Sequence, residues 1–227
     1  MCSRLFIFTE VPAINKTIIQ CDFDGTITEE DVSFLILDTY STEDWHPWLE
    51  LYKKGKMSVG DFNTKVFSLV KADRSTLLNF VRQHAKVRPG FAELLEFSKR
   101  NNFEFAVISN GLDFYIEFIL GGLGYNNVKI IAAKTEFDPH GMKVKYIGPG
   151  GNMLMDRFKE AFTKKYVEEG YRVIYIGNGL SDFPAARLSQ QIFAREDLTD
   201  CCIKSGVVCT PFEDLNDVIK GLEAAGI

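Results

Sequence analysis

Apolar residues along this chain gather into short runs: "TIIQCDFD" (17 to 24), "FEFAVIS" (103 to 109), "NVKIIAA" (127 to 133), "YRVIYIG" (171 to 177), "QQIFAR" (190 to 195) and "GVVCT" (206 to 210). The first is rich in β-branched residues and stops at a glycine, as expected of a buried strand, and the others are similar short apolar runs. Between the runs lie segments of helical spacing, such as "PGFAELLEFSKRN" from Pro89 and "PFEDLNDVIKGLEAAG" from Pro211, each with a proline predicted in the first turn. Strand and helix alternate, which predicts an α/β fold: a doubly wound, Rossmann-like parallel sheet covered on both faces. The turn residues "DPHG" inside 135 to 151 predict a hairpin excursion from it.

Residues 31 to 87 break the alternation. Val59, Phe62, Val66 and Leu69 recur at three and four, as do Leu77, Val81 and then His84 or Ala85. Ser58 with Asp61 reads as a helix-start box, and Asp73 as the cap of the next helix. The predicted organisation is therefore an α/β core of residues 1 to 30 and 88 to 227 with an all-helical cap at 31 to 87. Inserted directly after the first strand, the cap is expected over the carboxyl ends of the strands, where open α/β sheets hold ligands. It is a candidate substrate lid. Trp45, Trp48 and Tyr52, at helical spacing, either pack its bundle or line its inner face.

A chain of 227 residues, 46% hydrophobic and 25% charged, is that of a globular protein, and its net charge of -5 without a basic stripe argues against nucleic acid as a partner. The five cysteines lack paired C-x-x-C spacing, so reduced thiols and a cytoplasmic setting are expected. No apolar stretch approaches the ~20 residues that span a bilayer. The start, "MCSRLFIFTEVPAINK", is expected to be neither signal peptide nor anchor. An extra edge strand, an ordered tail and an over-early start all remain open there. The histidines at 46, 84 and 140 have no mutual spacing that suggests a metal or a triad, and no phosphate-binding G-x-x-x-x-G-K-[ST] loop is present.

The chemistry is concentrated in "DFDGTIT" (22 to 28). A calcium loop counted from Asp22 requires glycine at the sixth position and glutamate at the twelfth, but Ile27 and Ser33 stand there. A plain D-G turn is the simpler reading of Asp24 and Gly25. Against it, Asp22 and Asp24 leave the strand two residues apart, on the same side. Two facing carboxylates require a cation or a shared proton. That suits phosphoryl transfer, with one carboxylate as nucleophile, the other as acid and base, and a magnesium ion between charges. Gly25 lets the backbone turn tightly, and the Thr26 hydroxyl adds a donor for phosphate.

Asp22 to Thr26 resembles the D-x-D-G-T motif of the haloacid dehalogenase superfamily. The resemblance implies Asp22 as nucleophile and metal ligand, and Asp24 as acid/base whose carbonyl also meets the metal. It further implies Ser109, Asn110 and Gly111 of "VISNG" as the phosphate-binding second motif, and "IGNGLSD" (176 to 182) as the acidic fourth motif, with Asn178 and Asp182 on the metal. Asn178 departs from the acid expected there. Lys159 is chosen as the third-motif lysine, with Lys134, Lys143 and Lys145 as alternatives. The helical insertion resembles the phosphoserine phosphatase-like subgroup. "VRPGF", "VISNGLDFYI" and "FARE" also resemble phosphatases of methionine salvage. The implied function is a magnesium-dependent phosphatase of a small phosphorylated metabolite. A phosphate-binding protein weakened by Asn178 and a phosphotransferase or mutase remain alternatives. Glu29, with Glu30 and Asp31, enters the cap where a substrate group arrives, or merely caps a helix.

Overall fold

The structure is a computed structural model that describes residues 16–227; the amino-terminal segment read three ways above lies outside them. Strand β1 (Lys16–Cys21) is followed by α1 (Val32–Tyr40), α2 (His46–Lys53), α3 (Val59–Phe67) and α4 (Arg74–His84). The chain continues through α5 (Phe91–Arg100), β2 (Glu104–Leu112), α6 (Asp113–Gly122), β3 (Lys129–Glu136) and β4 (Lys143–Lys145). It ends with α7 (Phe158–Glu168), β5 (Tyr171–Gly177), α8 (Phe183–Ala186), β6 (Gln191–Ala194), α9 (Glu196–Ser205), β7 (Thr210–Pro211) and α10 (Leu215–Ala224).

The sheet runs β4-β3-β2-β1-β5-β6-β7, parallel except for β4, which returns antiparallel on β3 as the hairpin signal predicts. The α/β sheet fold expected from the alternation is therefore observed. Central β1 buries Ile18, Ile19 and Cys21 fully, as its neighbours bury Val107, Ile108, Ile174 and Ile176. Its register pairs Cys21 with Val107 on one side and Ile176 on the other, so β1 and β5 end at nearly one level while β2 runs on to Leu112. Among the described residues, no helix is long and apolar enough to cross a membrane.

Helix caps in the 31–87 region follow the sequence: Ser58 accepts from the Asp61 amide and Asp73 from the Thr76 amide. Both prolines, however, lie outside their helices. Gly90, at φ 90°, precedes α5, and Asp214 caps α10 with a reciprocal bond pair to Asp217, leaving Pro211 in β7. The "GVVCT" strand also shrinks to a two-residue pairing at its end, with Val208 90% exposed.

Helix α3 lies tightly on the rest of the molecule. The Gly60 amide donates to the Met155 carbonyl at 2.9 Å, and a Cβ at position 60 would sit 2.4 Å from that oxygen. Met142 donates back to the Phe67 carbonyl, and Asn63 Nδ2 donates to the Asn110 carbonyl at 3.0 Å. Helix α2, by contrast, buries none of its residues.

Beneath the loop that leaves β1 lies buried Arg88. Its Nε donates to the Thr26 carbonyl, Nη2 to those of Gly25, Thr28 and Glu29, and Nη1 to that of Glu213. A charged donor stabilises carbonyls that would otherwise be buried without partners. Arg88→Met is expected to cost about 3–5 kcal/mol in urea unfolding; a loss near zero would show that this loop holds itself.

Candidate active site

Three charged side chains meet at the carboxyl end of β1. Lys159 Nζ lies 2.8 Å from Asp22 Oδ1 and 2.7 Å from Asp182 Oδ1, with all three residues buried. Gln20 of β1 draws α7 into place: its side chain reaches the Lys159 carbonyl and accepts from Thr163 Oγ1 at 2.7 Å. Burial alone would lower the Lys159 ammonium, but Asp182 and Asp22 outweigh it and hold the group above its usual range. The other candidate lysines pair elsewhere, Lys134 with Asp113, Lys143 with Asp138 and Lys145 with Glu136.

Asp182 does not take up the metal-ligand position expected from sequence. Oδ1 accepts from Lys159 and from Tyr175 OH, and Oδ2 from the amides of Asn178 and Gly179. Fully buried and four times bonded, it anchors Lys159. Thr26 likewise departs from its expected phosphate contact. Its side chain is fully buried and donates to Asn178 Oδ1 at 3.1 Å.

Asp24 takes donors on both oxygens. Oδ1 accepts from the Val32 amide at the start of α1 at 3.1 Å, and Oδ2 from Tyr115 OH at 2.6 Å. Because the Tyr115 proton is spent on Asp24, Ser33 Oγ donates to the phenol, 2.7 Å away. Gly111 makes room for this chain, since a Cβ there would stand 2.1 Å from both Asp24 Oδ2 and Tyr115 OH. Its amide donates to Ser109 Oγ at 2.9 Å, so the free phosphate donor expected at position 111 is not presented. Sequence reading missed Tyr115, Ser33 and Gln20. The local signals were a polar residue within the apolar run of β1, at Gln20, and the string "VISNGLDFYI" that contains Tyr115.

A cavity of about 440 Å³ opens over these groups, lined by Asp22, Asp24, Lys159, Ser109, Asn110 and Asn178 on the sheet side. Phe34, Leu49, Tyr52 and Phe62 form its wall from the helices, with Glu29, Glu30 and Asp31 at the margin. Asp31 is also the α1 cap, accepting from Phe34. Of the three aromatic residues at helical spacing, Tyr52 reaches the cavity and stacks on Phe62, whereas Trp45 packs on Phe34. Asn110 Oδ1 is buried with no donor among the described residues.

Among the described residues, no three His, Cys, Asp or Glu side chains form a ready metal cage. The available donors are of another kind. Asp22 directs Oδ1 to Lys159 and the Phe23 amide, leaving Oδ2 without a hydrogen bond among the described residues; the Asp24 carbonyl also receives none. With Asn178 Oδ1 these make an all-oxygen set suited to a hard divalent cation.

A family model described as haloacid dehalogenase-like hydrolase matches residues 19–187. The chain is 29% identical over 217 residues to a 2-hydroxy-3-keto-5-methylthiopentenyl-1-phosphate phosphatase of Exiguobacterium sibiricum, covering 92% of this chain and 97% of that one. It is 28% identical over 202 residues to a protein of the same name from Bacillus thuringiensis, covering 87% and 92%. The fold matches a solved phospho-aspartyl intermediate analogue of phosphoserine phosphatase with a TM-score of 0.68 at 18% identity, covering 90% of this chain and 98% of that one. A substrate-bound phosphoserine phosphatase also gives 0.68, at 17% identity and 90% and 97% coverage.

Burial, with Asp182 adding like charge and Lys159 opposing, pushes Asp22 up to about 7. Burial and then Asp31 push Asp24 up to about 8, against the Tyr115 and Val32 bonds; burial takes Asp31 up to about 7. The native state thus keeps protons that the unfolded chain releases above about pH 4, so stability falls as pH rises through this interval. The Tm of cation-free protein is expected to fall between about pH 5 and about pH 8, and Asp24→Asn to flatten the slope. An unchanged slope would exclude Asp24 as a source.

Proposed function

Because the chain belongs to the haloacid dehalogenase-like hydrolase family, we propose that it is a magnesium-dependent phosphatase of a small phosphomonoester, working through an aspartyl phosphate. The observation that carries this reading is Asp22 at the cavity floor, with one oxygen held by Lys159 and the other free. Magnesium, held by Asp22, the Asp24 carbonyl and Asn178, would supply positive charge that lets a phosphate dianion approach two carboxylates. The Asp22 carboxylate attacks phosphorus as the ester bond breaks. Asp24 gives its proton to the departing alkoxide, then takes one from the water that cleaves the acyl phosphate. Lys159 favours the ionised form of Asp22 against burial and Asp182, and balances charge on the transferring group, and Ser109 Oγ is the hydroxyl donor to it.

Residues 31–87 act, in this reading, as a cap over the core of residues 1–30 and 88–227. A cavity of about 440 Å³ suits a metabolite rather than a phosphoprotein. The wall of Phe34, Leu49, Tyr52 and Phe62 favours an alcohol with an apolar portion. The relatives named for a methylthiopentenyl phosphate support that class ahead of a phosphoserine-like substrate, with Glu29 at the margin for its polar groups.

With magnesium and an aryl phosphate, the protein is expected to release phosphate. Asp22→Asn should fall to background and Asp24→Asn by roughly 10²–10⁴-fold. Full turnover by Asp22→Asn would reject the nucleophile, and phosphate release that withstands chelation of divalent cations would reject the magnesium requirement.

A further inference from the structure

Asn178 brings a neutral amide to a site that needs negative charge, and its surroundings answer this. Its Nδ2 donates to Glu196 Oε2 at 2.9 Å, while Oδ1 accepts from Thr26 at 3.1 Å. A carboxylate only accepts, so Nδ2 must be the atom that faces Glu196. Both ends of the amide thus meet the loop that carries Asp22 and Asp24, Oδ1 at Thr26 and Nδ2 over Gly25, where a Cβ would stand 2.3 Å from it.

Glu196 is itself held in position. Oε1 receives Arg195 Nε at 3.2 Å and Nη2 at 3.1 Å, and Arg195 Nη1 is tied to the Glu213 carbonyl. The Leu198 amide donates to the Asn178 carbonyl at 2.8 Å, so the start of α9 grips the same residue twice. The backbone of Glu196 stands at φ 49°, a left-handed conformation that is strained for a non-glycine residue. The surrounding contacts maintain it nonetheless.

We propose that Glu196 is a positioning residue for the divalent cation, fixing the Asn178 amide through Nδ2 and restoring to that side of the site the negative charge that position 178 lacks. The inference rests on the cation reading of the preceding subsection. Its physical basis is polarisation: an amide whose N–H groups donate to a carboxylate carries more negative charge on its oxygen. A purely structural role, in which an acid favours the amino end of α9, would leave cation affinity unmoved.

Manganese(II) serves as the probe, with free ion counted by electron paramagnetic resonance at low salt. Wild type, Glu196→Gln, Asn178→Asp and the double variant are compared, with a melting curve for each to check folding. Neighbours of a metal ligand typically contribute about 10–100-fold in affinity. Glu196 has 51% of its side chain exposed, so screening reduces the expected loss in Glu196→Gln to about 3–10-fold. In the Asn178→Asp background the two carboxylates repel, and the same substitution is expected to leave affinity unchanged or raise it. Equal losses in both backgrounds, or no loss in wild type, overturn the proposal while leaving the cation reading intact. Failure of wild type to bind manganese overturns both.

Discussion

A lysine ammonium, removed from water and set between two aspartates, organises this molecule. Lys159 is 2% exposed and touches Asp22 and Asp182, which are also buried. Such a group is costly to desolvate, and removing either partner would leave charge without compensation. Much of the surrounding architecture meets this cost. Gln20 and Thr163 seat the first turn of α7, Tyr175 and two backbone amides satisfy Asp182, and the ends of β1 and β5 lie in register so that both acids arrive together. The triad carries one more negative charge than positive, and that excess falls on the carboxylate at the cavity floor.

The loop after β1 has a complementary problem, because it presents side chains to the cavity while its own carbonyls turn into the protein. Arg88 resolves this from across the helical insertion, joining the chain's return from α4 to the loop from which the insertion departed. The insertion can therefore be long without loosening the loop, since both of its ends converge on one guanidinium.

Much of this was legible from the sequence, for reasons that differ by residue. Short apolar runs report strands buried on both faces, so sheet and helical insertion could be read from spacing. "DFDGT" was legible because its residues are contiguous and their side shared. Asp182 was misjudged because an acid's letter does not tell whether it meets a lysine or a cation. Thr26 was misjudged because one turn of backbone decides which way a hydroxyl points. Pro89 and Pro211 were placed inside helices that begin later, because Gly90 and Asp214 provide the actual starts. Tyr115, Arg88 and Glu196 stand inside "VISNGLDFYI", "VRPGF" and "FARE", but they act through partners distant in sequence, which those strings do not reveal.

The contacts of Asp24 tie it to the first helix of the insertion. Both of its oxygens depend on α1: one takes the Val32 amide directly, and the other takes Tyr115, whose phenol is steadied by Ser33. A shift of α1 by a bond length would take away the Val32 amide and withdraw Ser33 from the phenol, leaving Tyr115 of α6 as the partner that remains. If Asp24 is the acid and base of the proposed mechanism, an alcohol too bulky to let α1 settle would meet it with one donor fewer. Selection among substrates would then be exercised in the turnover rate, after binding has already occurred.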